Sequence, residues 1–348
     1  MEKVKKGYDF QLLEKMKKIP GGLVIIPLII AVLINTFFPS FFSIGGFTTG
    51  LFKNGQPAMM GLFLIICGSS IDVRQVGMPL YKGIVLTSIK FIVGVLLGYI
   101  VGSLFGPIGV LGITPMVLIS AITNSNSSLY ISLSSQFGDA TDTGAISILS
   151  LNDGPFFTLI ALGATGLANI PLMALVATIV PLLIGFIWGN LDSGFKKTCA
   201  GAQPIVTFFM TIAIGSSTNV KTILTAGSSG IILGLLSTIL GIAFYYLFNL
   251  FMKKENRNAM GAAIGTTALN AAMTPAAIAA ADPSFAGVVD LATAQIATAS
   301  IITLFLCPFL VAYLNSRMMK KPGNAVYIRE RKRKESLLIQ DQELLQKA

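Results

Sequence analysis

Thr123-Asn124-Ser125-Asn126-Ser127-Ser128 is the stretch of the chain best equipped for chemistry, a run of small polar residues with apolar sequence starting at Ile113 before it and from Leu129 after it. At mid-membrane such a run cannot face lipid, because its backbone and side-chain polar groups need internal partners or water. Unwound and lining a cavity, it satisfies that demand. A later apolar run carries Thr266, Thr267, Asn270, Thr274 and Pro275, and Pro275, which has no backbone N–H to donate, is expected to break or kink its helix. Two interrupted spans at equivalent places point to a transporter's binding site. Half-helix N-termini there offer partial positive charge to an anion, and freed carbonyls can hold a cation. The plainer alternative is that small residues merely let helices pack closely.

Ionisable residues within the apolar runs need the same scrutiny. Asp153, in Asn152-Asp153-Gly154-Pro155, is a candidate carrier of a coupling proton, since a carboxylate in a span is expensive unless it is used or paired. It could instead cap a helix break at Gly154-Pro155. Lys90 lies about two turns into the third apolar run. Either its ammonium snorkels toward the headgroups, or it supplies positive charge to an acidic substrate. Asp72, Asp139, Asp142, Asp192, Asp282 and Asp290 sit near span ends and read as solvated or capping residues. Gln295 faces either the binding site or a neighbouring helix.

The elements that must position these residues follow from composition. Of 348 residues, 53% are hydrophobic and only 11% charged, against about 25% charged in soluble domains. The class is polytopic membrane protein. Hydrophobic runs place ten helices near residues 20–38, 57–71, 80–101, 113–137, 143–167, 171–189, 203–219, 227–251, 259–281 and 291–314. The two ends then share a side. Putting that side in the cytoplasm assigns it 22 of the 25 basic residues, Lys82 among them, and leaves only Lys53 and Lys221 outside and Lys90 within the membrane. That is a strong positive-inside signal, and it accounts for the +10 net charge without nucleic acid. Residues 1–18 form a cytoplasmic N-terminus, and the first run reads as an uncleaved span. The basic tail over 317–348 reads as a solvated stop-transfer segment with a weak amphipathic helix.

The chain also repeats itself. Gln56-Pro57, Gly68-Ser69-Ser70 and Val73 recur as Gln203-Pro204, Gly215-Ser216-Ser217 and Val220, at a constant offset of 147. A fixed internal period signals a repeated structural unit. With five spans per copy, residues 19–167 and 170–314 are expected to be inverted repeats, the architecture of secondary transporters. Cys67, Cys199 and Cys307 have no CxxC spacing, so neither a disulfide framework nor a metal site is suggested. Histidine is absent, which leaves carboxylates or lysine for any proton coupling.

At these residues the chain resembles the 2-keto-3-deoxygluconate permease family. The resemblance rests on Ile19-Pro20-Gly21-Gly22, Lys82 and Lys90, Asn126 ahead of Leu129-Tyr130, Gly154-Pro155 after an acidic residue, Gly189-Asn190-Leu191-Asp192, and Thr274-Pro275. It runs from about residue 19 to 316. The chain departs from the family pattern in having Ser127-Ser128 for Gly-Gly, no acid near Thr123, and its acid at Asp153 where the pattern places it at the position of Asn152.

The resemblance implies proton-coupled uptake of a sugar acid across the cytoplasmic membrane. It also implies a relationship to the bile-acid and sodium symporter superfamily, with ten helices. In that fold helices 1, 2, 6 and 7 form a panel, and helices 3 to 5 with 8 to 10 form a core in which broken helices 4 and 9 cross. The expected protein is thus an all-α symporter, without organic cofactor, embedded in the lipid bilayer. Lys90, Asn124, Ser125, Asn126, Ser127, Thr266, Thr267 and Asn270 are its candidate substrate-binding residues, and Asp153, Asn152 and Gln295 its candidate coupling-ion residues. Sodium coupling is the nearest rival, since oxygen-rich breaks suit a hard cation. An intramembrane enzyme is remote, because it needs a second mid-membrane acid or an activated nucleophile.

Overall fold

A computed structural model describes residues 10–18, 22–74, 77–152, 154–217 and 219–320. The basic tail from 321 onward and Asp153 lie outside the described residues. In chain order the α-helices are α1 (Leu12–Lys18), α2 (Gly22–Phe37), α3 (Gly46–Thr48), α4 (Gln56–Ser70), α5 (Met78–Phe105), α6 (Pro115–Thr123), α7 (Ser127–Phe137) and α8 (Ala140–Gly144). They continue with α9 (Ile146–Leu149), α10 (Phe156–Ala164), α11 (Leu172–Leu191), α12 (Ser193–Gly215), α13 (Val220–Phe251), α14 (Met260–Ala263), α15 (Thr274–Ala281) and α16 (Val289–Met319). Among the described residues there is no β-strand, only an isolated bridge between Val110 and Ile113. Lipid enforces this economy, because a helix satisfies its backbone groups internally. Segments within Met78–Ile108, Leu172–Leu191, Ser193–Gly215, Ala226–Phe251 and Pro283–Met319 are each long and apolar enough to cross a bilayer. Their outer faces carry exposed Ile92, Leu96, Ile184, Ile187, Ile239, Ile242, Phe305 and Phe309, a lipid-facing surface rather than a solvated one.

The helices pack in two groups. In one, α4 lies against α11 and α12, and α12 against α2. In the other, α5 packs on α6, α8 and α9, while α13 packs on α14 and α16. The repeated motif explains the first group. A Cβ on Gly68 would fall 2.0 Å from the Leu182 carbonyl oxygen, and one on Gly185 would fall 2.0 Å from that of Ile65, so α4 and α11 touch backbone to backbone. At the matching position of the second copy, Gly215 meets Ala31 of α2 at 2.6 Å. Close approach through small residues is how membrane helices gain contact where lipid supplies no hydrophobic drive. The serines follow suit: Ser69 Oγ donates to the Ile66 carbonyl (2.7 Å) and Ser216 Oγ to that of Ala213 (2.9 Å).

Three segments differ from the expected spans. α12 starts at Ser193, well before residue 203, because Asp192 caps it, accepting from the Gly194 (2.7 Å) and Phe195 (3.2 Å) amides. The span expected over 143–167 is divided into α8, α9, a 3-10 turn over Ser150–Asn152, and α10, with Gly154 at a φ of +119°. The span expected over 259–281 breaks upstream of Pro275, at residues 264–268 around Gly265. Pro275 instead lies in the first turn of α15, where its missing N–H costs nothing.

Candidate functional site

The first polar run unwinds only at its centre. Thr123 ends α6, residues 124–126 are extended, and Ser127 starts α7. Each side chain secures this break. Asn124, fully buried, donates from Nδ2 to the Ser120 carbonyl (3.0 Å) and Thr158 Oγ1 (3.3 Å), and its Oδ1 accepts the Gly154 amide (3.2 Å). Ser125, also buried, accepts from Asn152 Nδ2 (3.3 Å). Asn126 caps α7 by accepting the Leu129 amide at 3.0 Å. The turn before α10, where Asn152 and Gly154 flank Asp153, is thus tied to the first break.

The second break is fixed to the first and to two neighbouring helices. Thr266 Oγ1 accepts the Asn126 amide (3.1 Å), and Thr267 Oγ1 donates to the Ala121 carbonyl (3.2 Å). Thr267 also donates its amide to Thr303 Oγ1 of α16 (3.1 Å), and its hydroxyl pairs with Ser237 of α13 (3.1 Å). Lys90 is 1% exposed and donates to the carbonyls of Ile264 (2.5 Å) and Thr266 (2.5 Å). Its ammonium therefore does not snorkel. It neutralises the carbonyl end of a broken helix, where a cation is favoured.

Where the carbonyl ends are plugged by the chain's own donors, the amide ends open on a cleft. Asn126, Ser127 and Ser128 of the α7 start and Ala268, Leu269 and Asn270 of the stretch leading into α15 line it on one side. Phe63 of α4 and Gln203, Thr207 and Met210 of α12 line the other. Asn270 is 6% exposed and its Nδ2 has no hydrogen-bond partner among the described atoms; the same holds for Oδ1 of Asn152, 2% exposed. Two helix starts and hydroxyls lining one cleft, with the buried and unengaged amide of Asn270 in its wall, suit an oxygen-rich anion. Gln203 and Thr207 escape the sequence reading, although their i, i+4 spacing on one helix face and the place of Gln203 in the repeated motif were the available signals.

Not every candidate converges here. Gln295 Nε2 donates to the Gly112 carbonyl (2.7 Å) and Ser229 Oγ (2.7 Å), so it ties α16 to α13 and to the turn before α6 and faces neither break. Conversely, a buried ionic cluster appears among residues expected near span ends. Lys82, fully buried, lies 2.6 Å from Asp142 and 3.3 Å from Asp139. Asn258 Nδ2 donates to Asp142 Oδ2 (2.7 Å), and the Tyr130 hydroxyl to the Asp142 carbonyl (3.0 Å). Asp142 is a capping residue, closing the capping box of α8 by accepting the Asp139 amide at 2.9 Å, but it is fully buried rather than solvated. Asp139 does cap α8, accepting from the Thr141 (2.9 Å) and Asp142 (3.1 Å) amides. Partial burial pushes its carboxyl up, but hydrogen bonds from Thr141 and the Lys82 charge outweigh that and hold it at about 2. Asp192 and Asp282 are caps as expected.

Comparison with known proteins supplies an independent view. The family described as 2-keto-3-deoxygluconate permease matches residues 13–320. The chain is 43% identical over 306 residues to 2-keto-3-deoxygluconate permease 1 of Salmonella typhimurium, covering 88% of this chain and 96% of the relative. It is 32% identical to the 2-keto-3-deoxygluconate permease of Bacillus subtilis (88% and 94% covered) and 33% identical to that of Pectobacterium carotovorum (88% and 98%).

Proposed function

Because the chain belongs to the 2-keto-3-deoxygluconate permease family, we propose that it imports 2-keto-3-deoxygluconate through the cytoplasmic membrane by proton symport and alternating access. The family makes it a multi-pass transporter rather than an enzyme. The observation that carries the site is the convergence of the α7 start and the stretch leading into α15 on one cleft, with Asn270 Nδ2 unengaged. The substrate carboxylate lies against these two amide ends, and its hydroxyls meet Asn126, Ser127, Asn270, Gln203 and Thr207. Asn124, Ser125, Thr266 and Thr267 act from behind, by holding the breaks in register. Lys90 contributes positive charge through the break rather than by touching the ligand.

In the same reading α2, α4, α11 and α12 form a panel and the other long helices a core, with residues 19–167 and 170–314 as inverted repeats. The paired contacts of Gly68 and Gly215 and of Ser69 and Ser216 support that symmetry. The cleft lies where the two groups meet, so rocking one against the other would expose it alternately to each side. Both termini are cytoplasmic. Asp153 carries the coupling proton beside Asn152 and Gly154, which touch the first break.

Ligand binding to the purified protein tests the site. Asn270→Ala and Gln203→Ala should each weaken 2-keto-3-deoxygluconate binding about tenfold, as expected for loss of one hydrogen bond to a charged or polar ligand, with thermal stability retained. Affinity unchanged in both variants would remove this cleft from the mechanism.

A further inference from the structure

The ammonium of Lys90 sits where the chemistry of the fold calls for a cation. The second break leaves the Ile264 and Thr266 carbonyls outside any regular helix, and both accept from Lys90 at 2.5 Å. Just upstream, the carbonyls of Ala262 and Ala263 at the end of α14 are met by the Cys307 thiol at 3.5 and 3.9 Å. The Phe244 ring of α13 adds its negative face, with its centroid 5.8 Å from Lys90 Nζ. Unwound carbonyls at the C-terminal end of a half-helix, with a π-face beside them, make a site for a small hard cation. Here it is filled from the side by α5, on a tether that cannot dissociate.

We infer that Lys90 is a built-in cation, taking the place in the second break that an alkali ion would otherwise have to fill, so that the substrate cleft is assembled without sodium. The inference rests on the cleft being the substrate site, because the same short segment that accepts from Lys90 continues into Ala268, Leu269 and Asn270 at the cleft wall. It removes the reason for sodium coupling that the oxygen-rich breaks suggested. It also separates two roles. The lysine charge stays with the protein through the cycle, and the driving ion binds elsewhere.

Two substitutions distinguish this from simple loss of packing. Lys90→Ala removes the ammonium and its stem, leaving room beside the carbonyls, whereas Lys90→Met removes the charge and keeps the bulk. Purified wild type and both variants are titrated with sodium or ethylammonium chloride against choline chloride at constant ionic strength. Thermal unfolding is read without substrate, and 2-keto-3-deoxygluconate affinity is read separately. Wild type should respond alike to sodium and choline. Both variants should lose about a hundredfold in affinity, the scale of leaving a buried charge site unanswered. Sodium or ethylammonium should raise the melting temperature of Lys90→Ala and recover at least about tenfold of its affinity, leaving Lys90→Met unmoved.

A wild type stabilised specifically by sodium overturns the inference, and does so even if the alanine variant fails to fold. Equal responses of the two variants to small cations overturn it as well. A wild type that does not bind the sugar acid, beside an alanine variant that sodium stabilises, upholds the built-in cation and overturns the substrate assignment alone.

Discussion

The ion pair of Lys82 and Asp142 gives the sharpest test of how the helices are held together. Both side chains are fully buried and 2.6 Å apart, and Asp142 has Asn258 as a further partner at 2.7 Å. Lys82→Met strands the Asp142 carboxylate with neutral donors only. Asp142→Asn leaves Lys82 with Asp139, which is 3.3 Å away and 36% exposed. Removing one member of a buried pair costs about 3–5 kcal/mol, whereas replacing both by well-packed apolar groups is often neutral. The upper part of that range applies to Lys82→Met, and the residual partner should bring Asp142→Asn to about 2 kcal/mol. Lys82→Met combined with Asp142→Leu should recover most of the loss. The assay is reversible unfolding of the purified protein in mixed micelles, read as a double-mutant cycle. Single losses below about 1 kcal/mol, or a double variant as unstable as the sum of the singles, would show that the pair is not a buried interaction.

Other outcomes follow from the same structure. Gly185→Leu should abolish stable folding, because even a Cβ there lies 2.0 Å from the Ile65 carbonyl oxygen; a well-folded variant in size-exclusion chromatography would contradict the α4–α11 contact. Asp139, held at about 2 against an ordinary 3.8, contributes stability that is fully present above its unfolded value and is lost as pH falls through its folded one. The stability gap between wild type and Asp139→Asn should therefore be constant above about pH 4–5 and shrink toward pH 2, and a gap that widens on acidification would contradict it. Asp153→Asn should abolish proton-driven accumulation but spare equilibrium exchange of substrate in the same vesicles, since an amide hydrogen-bonds without carrying a proton. Undiminished accumulation would remove Asp153 from the coupling.

Local composition made both breaks legible. Six small polar residues in an apolar run, and the Thr266-Thr267 pair in another, cannot remain lipid-facing helix, and the structure unwinds both runs and joins them through Asn126 and Thr266. The two glycines of the repeated motif were legible as close-packing positions, since a Cβ on Gly68 would fall 2.0 Å from the Leu182 carbonyl oxygen and one on Gly215 2.6 Å from the Ala31 Cβ. What escaped was set by partners distant in sequence. Lys82 and Asp142, 60 residues apart, each looked like a charge near a span end, since nothing local announces that three segments will close over them. Lys90 likewise has its acceptors at Ile264 and Thr266, 174 and 176 residues further along the chain. Pro275 itself does not mark the second break, because a proline's cost depends on its position within the helix, and in the first turn of α15 it has none.

The central claim is that this chain moves 2-keto-3-deoxygluconate with protons through a cleft between two helix groups. Purified protein in proteoliposomes, loaded so that an inward proton gradient or an inward sodium gradient is imposed separately, measures it directly with labelled substrate. The account predicts accumulation above equilibrium under the proton gradient alone, abolished by a protonophore and unchanged when sodium replaces choline. Accumulation that follows the sodium gradient and ignores the protonophore would contradict it.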